Sequence, residues 1–484
     1  MSGGMRKLGL FGKSASVRYS AVFGLAGLAL CSADLTACKK KPPVPVTEPD
    51  LPADMQANTP ETVTSVASAP HAPPSPGPVP SRCRELSQPG PFRIGELAAN
   101  HAPADDADDA GPDDDDDVPA PFSVELGPAR ADADGFVVSA LRSLKGQSHA
   151  LIALLNGEAG NGKLVDLGVV HGDPDPPAFA AHGKDLIVAA PDMDAGGGML
   201  KIGVVHDARG AAQVTWGPEV TGVRRDSTFA LELSGEHALL AYAAETGGKI
   251  RVFSALLDPN NLKQKLTPEP LSGAGADVDS PRLALRKGGY WLAVARALDA
   301  PKGKPKALAA DAGDSQIEGD SVLDIGTRRI EVSKLDALGK VASSALVVTK
   351  PGARPMSFEL APAPDGGAYI AFRDDDSTPG ADGGALQLVH VKADGSFERV
   401  EVNGEANGTG TPTLIADASD ASRVWLTAAG ETGATWFGRL TEHSTLSADS
   451  VVRGGDLIAG RDGKLLLTRS KGTSAEFSVV QCAD

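Results

Sequence analysis

The chain has 484 residues, with 46 Lys and Arg against 63 Asp and Glu and a formal net charge of −17. Such a surplus of carboxylates argues against nucleic acid as a partner, because phosphate binding demands a positive surface. Hydrophobic residues make up 41% of the chain but aromatics only 4%, so any core is built from Val, Ile, Leu and Ala rather than from rings.

The first segment places basic Arg6, Lys7, Lys13 and Arg18 before the apolar stretch Ala21 to Cys31, and ends in the small-residue region Leu35-Thr36-Ala37-Cys38. That order is the order of a secretory signal. Asp34 closes the apolar run short of the about 20 residues that a membrane-spanning helix needs, so a retained transmembrane anchor is the weaker reading. Leu35, Ala37 and Cys38 resemble the lipobox of bacterial lipoproteins, with Asp34 as a departure from the pattern. The resemblance implies a signal peptide over 1–37, a diacylglyceryl thioether on Cys38 with N-acylation in many bacteria, and attachment to the membrane through that lipid. With Lys rather than Asp at position 39, it also implies sorting to the outer membrane. An ordinary cleaved signal is the alternative. Without residues 1–37 the charge becomes −20.

Residues 38–82 are dominated by Pro, Ala, Val, Thr and Ser, with Pro42-Pro43-Val44-Pro45 and Pro73-Pro74-Ser75-Pro76-Gly77-Pro78 as the stiffest pieces. Proline fixes φ and removes donors, so a disordered, semi-extended tether is expected. At about 3.1 Å per residue it reaches on the order of 100 Å. Lys39-Lys40-Lys41 suits contact with anionic headgroups.

Residues 83–121 form an N-terminal segment that carries Cys83 and the acidic run Asp105-Asp106-Ala107-Asp108-Asp109 followed by Asp113 to Asp117. Charges this dense repel and stay solvated. The spacing lacks the glycine and closing glutamate of an EF-hand. Cys31 leaves with the signal and Cys38 takes lipid, which leaves Cys83 and Cys482 for one disulfide in an oxidising setting, or for two unpaired thiols. The bond would close nearly the whole folded body into one loop, worth roughly 5 kcal/mol in the chain-entropy account.

From Phe122 to the end, residues 122–484, short apolar runs alternate with Gly and Asp turns and helical periodicity is rare, which predicts an all-β domain. One unit recurs. Four copies open with Pro: Pro177 to Ala180 leads into Leu186 to Ala189, Pro281 to Ala284 into Trp291 to Val294, Pro355 to Phe358 into Tyr369 to Phe372, and Pro412 to Ile415 into Val424 to Thr427. Three more lack it: Phe136 to Val138 into Leu151 to Leu154, Phe229 to Leu231 into Leu239 to Tyr242, and Leu457 to Ala459 into Leu465 to Leu467. Third strands follow at Leu200 to Val205, Ile250 to Phe253, Leu386 to Val391 and Phe477 to Val480, and a fourth at Phe397 to Val402. Seven units of about four antiparallel strands predict a β-propeller with seven blades. Six or eight blades are the alternatives. Phe122 to Leu126 is expected as a fourth strand that closes the ring on the last blade, and 299–324 as an inserted loop. The chain resembles propellers in general: it lacks Trp-Asp dipeptides, and its Gly-Gly doublets are hairpin turns rather than kelch elements.

Chemistry is harder to find. No His-Glu-x-x-His, phosphate loop or Gly-x-Ser-x-Gly elbow occurs, and His171, His206 and His390 read as ordinary strand or loop residues. Ala429 to Trp436 resembles a degenerate Asp-box of sialidase-type propellers, keeping Gly433, Thr435 and Trp436, and Phe92-Arg93-Ile94-Gly95 resembles their Phe-Arg-Ile-Pro motif. That resemblance implies an arginine cluster and a tyrosine nucleophile. Tyr242, Tyr290 and Tyr369, the tyrosines beyond the signal segment, all fall inside expected second strands. Asp192, Asp194, Asp374, Asp376 and Asp382 are weak candidates to hold Ca2+; solvated hairpins are the simpler account. No catalytic residue and no cofactor is assigned. The sequence therefore reads as a lipid-anchored envelope protein, at the outer membrane, whose propeller is a non-catalytic scaffold for an envelope protein or glycan. The alternative is a propeller hydrolase, glycosidase-like or metal-assisted, with its site in the central funnel.

Overall fold

The computed structural model describes residues 83–86, 92–95 and 123–482, apart from 145–146, 173, 195–196, 225–227, 273–276, 299–326, 375–384, 404–411, 430–433, 441–444, 448–449 and 472–473. Residues 1–82 with Cys38, the acidic run, the whole of 299–324, Asp376 and Asp382, all singled out from the sequence, lie outside the described residues.

Every described element is a strand. β1 (Cys83–Leu86) and β2 (Arg93–Ile94) come first, then β3 (Ser123–Asp132), β4 (Gly135–Leu144), β5 (Gln147–Asn156) and β6 (Gly162–Val170). The second unit comprises β7 (Ala178–His182), β8 (Asp185–Asp194), β9 (Gly197–His206) and β10 (Gln213–Val223). The third comprises β11 (Phe229–Ser234), β12 (His237–Thr246), β13 (Lys249–Leu257) and β14 (Glu269–Pro270). There follow β15 (Val278–Arg286), β16 (Gly289–Ala297), β17 (Arg328–Asp336) and β18 (Leu346–Val347), then β19 (Pro355–Pro362), β20 (Ala368–Asp374), β21 (Ala385–Val391) and β22 (Phe397–Asn403). The chain ends with β23 (Thr413–Ala416), β24 (Val424–Ala429), β25 (Ala434–Leu440), β26 (Thr445–Ser447), β27 (Ser450–Arg453), β28 (Asp456–Arg461), β29 (Lys464–Lys471) and β30 (Ser474–Cys482).

Within each unit the strands pair antiparallel with their sequence neighbours, except that β25 pairs with β27 while β26 lies parallel to β22 of the preceding sheet. The first strands stand side by side in chain order, β3 against β7, β7 against β11, and onward through β15, β19 and β23 to β28, which lies against β3. This ring makes the molecule a β-propeller, as its repeats predict. The expectation of seven separate blades needs correction. Hydrogen bonding among the described residues gives six sheets, because β10 and β12 meet at Val223 and Ala244 and fuse the second and third units into one eight-stranded sheet.

The second strands explain why the units were readable. A propeller sheet is covered on both faces by its neighbours, so a second strand is apolar along its whole length rather than on alternate residues. In β12, Ala238 to Ala244 are all buried, and in β16 so are Gly289 to Ala295. Apolar cores fill the gaps between units; that between the last and first units joins Leu466, Phe477 and Val479 to Phe136, Val138 and Leu151. Fully burying one such Phe or Leu contributes about 1.5–3 kcal/mol.

Ring closure differs from expectation. Ser123 to Leu126 does not pair with the last sheet; it begins β3, the innermost strand of the first sheet, and pairs with β4. Phe136 to Val138 and Leu151 to Leu154 consequently form second and third strands of that sheet, not first and second. The last sheet is completed by the segment before it: β1 runs antiparallel to β30 with Cys83 opposite Cys482, and β2 pairs farther along β30. The expected disulfide joins that pair, Cys83 to Cys482, across 399 positions of sequence. Glu85 reinforces it, accepting hydrogen bonds from Arg469 Nη2 at 2.6 Å and Ser478 Oγ at 2.8 Å.

Candidate functional site

First strands have a free edge toward the ring's centre, where backbone pairing ends. That edge tolerates Pro, which donates nothing to a ladder, and the register shifts at Leu126/Ala129, Asp279/Arg282 and Pro355/Phe358 lie there beside Pro128, Pro281 and Pro355. It also carries charge. Arg130 of β3 donates through Nη1 to Glu232 Oε2 of β11 at 2.8 Å and through Nη2 to the other oxygen, a two-pronged pair that reaches past β7. Arg282 of β15 donates to Glu359 Oε1 of β19 at 3.2 Å and to Thr228 Oγ1 at 2.6 Å.

Glu232 is only 4% exposed, whereas the Arg130 side chain remains 42% exposed, so the pair bridges the packed wall and open space. Burial pulls the Arg130 guanidinium down, but the charge of Glu232 and its hydrogen bonds, with help from Glu359, raise it overall. Arg130 is thus a fixed cation whose nearest carboxylate is already engaged.

The carboxylates proposed from sequence stand apart from this centre. Asp192, on β8, is 6% exposed and accepts from Lys201 Nζ at 2.6 Å, from the His171 backbone N–H at 3.2 Å, and from His171 Nδ1 at 2.9 Å. Burial pushes its carboxyl up, yet the hydrogen bonds of Lys201 and His171 hold it below the ordinary value. An ammonium therefore occupies the place that a cation would take. Asp194 closes β8, and Asp374 ends β20 on a different sheet, where it accepts from the Arg354 backbone N–H at 3.1 Å. No group of three or more His, Cys, Asp or Glu is gathered for a metal ion among the described residues.

Among the described histidines, His206 lies beside Asp185, and His390 lies beside both Asp365 and Glu398 with its ring on Tyr369 at 4.7 Å. Tyr242 and Tyr290 lie in second strands as expected, and burial pushes both phenols up to about 12, which opposes a nucleophilic role. Arg93 sits on β2, at the outer margin of the last sheet and 3.9 Å from Glu476, so the arginine of the Phe-Arg-Ile resemblance is far from the ring's centre. Of the Asp-box resemblance, Thr435 Oγ1 donates to Gly455 O at 2.6 Å and Trp436 is 3% exposed, a structural hairpin. Residues 430–433 lie outside the described residues.

Two features escaped the sequence reading. The Arg130–Glu232 pair joins residues 102 apart with no motif around either. The second is a groove of about 240 Å³ between β6 and β10, lined by Leu167, Val169, Lys201, Trp216 and Glu219 among others. Its signal was present: Trp216 stands in Val-Thr-Trp-Gly-Pro, outside any apolar run, unlike Trp291, Trp425 and Trp436.

No family model matches the chain, and no curated protein matches it. Solved structures do. The chain is similar to a polysaccharide lyase, an ulvan lyase, at 9% identity with a TM-score of 0.52, over 75% of this chain and 94% of that one. It is also similar to the β-propeller domain of the trilobed protease from Pyrococcus furiosus, at 8% identity and a TM-score of 0.43, over 76% and 97%. An α-L-arabinanase from Penicillium chrysogenum gives 11% identity and 0.40, over 75% and 98%. Identities this low speak to fold alone.

Proposed function

We propose that the protein is a lipid-anchored cell-envelope component, attached through Cys38, whose propeller is a non-catalytic binding scaffold. The observation that carries this reading is the self-paired centre. Arg130 with Glu232, and Arg282 with Glu359 and Thr228, satisfy each other within the ring. Lipid attachment rests on Leu35-Thr36-Ala37-Cys38, and the Cys83–Cys482 bond agrees with an exported, oxidising setting. Lysine at 39 and the Pro-rich stretch to residue 82 favour the outer membrane and a body held clear of it.

A propeller hydrolase or lyase is the reading to be excluded by experiment. The purified protein is incubated with arabinan and ulvan, following reducing ends and unsaturated products. The scaffold reading predicts no turnover above a boiled control. Turnover abolished in Glu232→Gln or Glu359→Gln, with the unfolding midpoint retained, would place chemistry at the centre and contradict it.

A further inference from the structure

We infer that the groove between β6 and β10 is a glycan subsite that seats one pyranose ring against Trp216. The inference names a ligand class for the scaffold proposed above and rests on that reading. The chain has four tryptophans. Trp291, Trp425 and Trp436 are 2–3% exposed, whereas Trp216 is 38% exposed. An indole left more than a third exposed forgoes part of the burial its three counterparts obtain, so its placement calls for a reason.

The local backbone is built to present this ring. β10 shifts register between Trp216 and Glu219, a bulge of the sort that re-aims a side chain. Opposite Trp216 stands Gly203, where a Cβ would lie 2.7 Å from Trp216 Cε3, so the indole rests directly on bare backbone. The facing wall is the outer strand of the neighbouring sheet, with Leu167, Val169 and Val170. It carries its own register shift, with Gly168 at φ +105°. Lys201 and Glu219 supply one cation and one anion, and the Lys201 ammonium is steadied by Asp192 at 2.6 Å.

These features select among ligands. About 240 Å³ lies below the roughly 300 Å³ at which drug-sized pockets begin, so the groove takes one ring rather than a helix or strand. An apolar side chain would offer nothing to the Glu219 carboxylate or to the Lys201 donors that Asp192 leaves over, and a phosphate or sulfate would be repelled by Glu219. A pyranose has a C–H face for the indole and hydroxyls that both donate and accept. β6 and β10 are the outer strands of their units, so a polymer extends past the groove into solvent.

The test is calorimetric titration of the purified protein with chitohexaose, cellohexaose and mannohexaose, backed by acrylamide quenching of Trp216. At least one hexasaccharide should bind saturably and protect Trp216 from acrylamide. Trp216→Ala should weaken that binding by about ten-fold or more, and Trp216→Tyr should retain most of it, both with an unchanged urea midpoint. No saturable binding of any of the three at about 1 mM, or unchanged affinity in Trp216→Ala, overturns the inference. Trp216-dependent binding followed by cleavage supports the groove while sinking the non-catalytic reading. Failure of all three sugars beside a firm envelope protein partner sinks the groove and leaves the scaffold standing.

Discussion

Asp417 is 3% exposed and stitches two turns of neighbouring sheets together. Its Oδ1 accepts from the Ser419 backbone N–H at 2.9 Å, Ser419 Oγ at 2.6 Å and the Asp462 N–H at 3.1 Å, while Oδ2 accepts from the Gly463 N–H at 3.0 Å. Burial pushes the carboxyl up, but these donors favour the charged form more strongly and lower it overall. A lowered folded value gives stability that is complete above the unfolded pKa of about 3.9 and is lost as pH falls through the folded value. Asp192, Glu331 and Asp365 shift in the same direction, so they add to one acid limb. Urea midpoints should therefore fall steeply below about pH 4, and Asp417→Asn should flatten that slope. Asp417→Ala, which orphans the buried Gly463 donor among others, should cost about 3 kcal/mol at neutral pH by urea unfolding. An unchanged slope in Asp417→Asn would show that the protons are taken up elsewhere. No sequence signal pointed to Asp417, because the Asp462 and Gly463 donors lie 45 and 46 residues away on a turn that only the packing of the two sheets brings near.

Among the elements, the second strands were readable and the ring's seam was not, for opposite physical reasons. β12 and β16 are sandwiched between neighbouring sheets, so their residues are apolar in unbroken runs that stand out in any sequence. β3 faces the open centre along part of its length, carries Gly127-Pro128 at a register shift, and alternates exposed with half-buried residues, which reads as a margin strand. β1 is four residues with two charges, Cys83-Arg84-Glu85-Leu86, and nothing in that pattern announces a strand; only the cysteine did. That cysteine has a mechanical role, because a four-residue ladder and the short β2 are the strand pairing that otherwise ties the 83–94 segment to β30. The disulfide contributes at most about 6 kcal/mol in the chain-entropy account for a loop of this length. Cys83→Ala with Cys482→Ala should lower the urea midpoint and, by hydrogen exchange, strip protection from β1, β2 and β30 before other strands. Uniform loss of protection across every sheet would show that the bond stabilises the ring only globally.

The whole molecule presents a charge-paired centre, a stapled seam and an outer groove, joined in sequence to a Pro-rich stretch and Cys38. Its fold was recoverable because repetition magnifies a weak pattern: each unit's hairpin reappears, and a propeller is the architecture that stacks them. Its site was less so. The groove depends on two register shifts on strands of different sheets, and the central pairs on residues brought together only by ring geometry. The acidic loops drew notice because charge is visible in sequence, yet Asp192 turns out to be spoken for by Lys201 and His171. The scaffold proposed above would act through what it holds, so the decisive measurement is crosslinking in intact cells, followed by affinity recovery and mass spectrometry, comparing the native protein with Cys38→Ala. The account predicts an envelope protein or glycan recovered in near-stoichiometric amount with the native chain and depleted with Cys38→Ala. Recovery of no partner from the native chain, or an identical set from both forms, would contradict it.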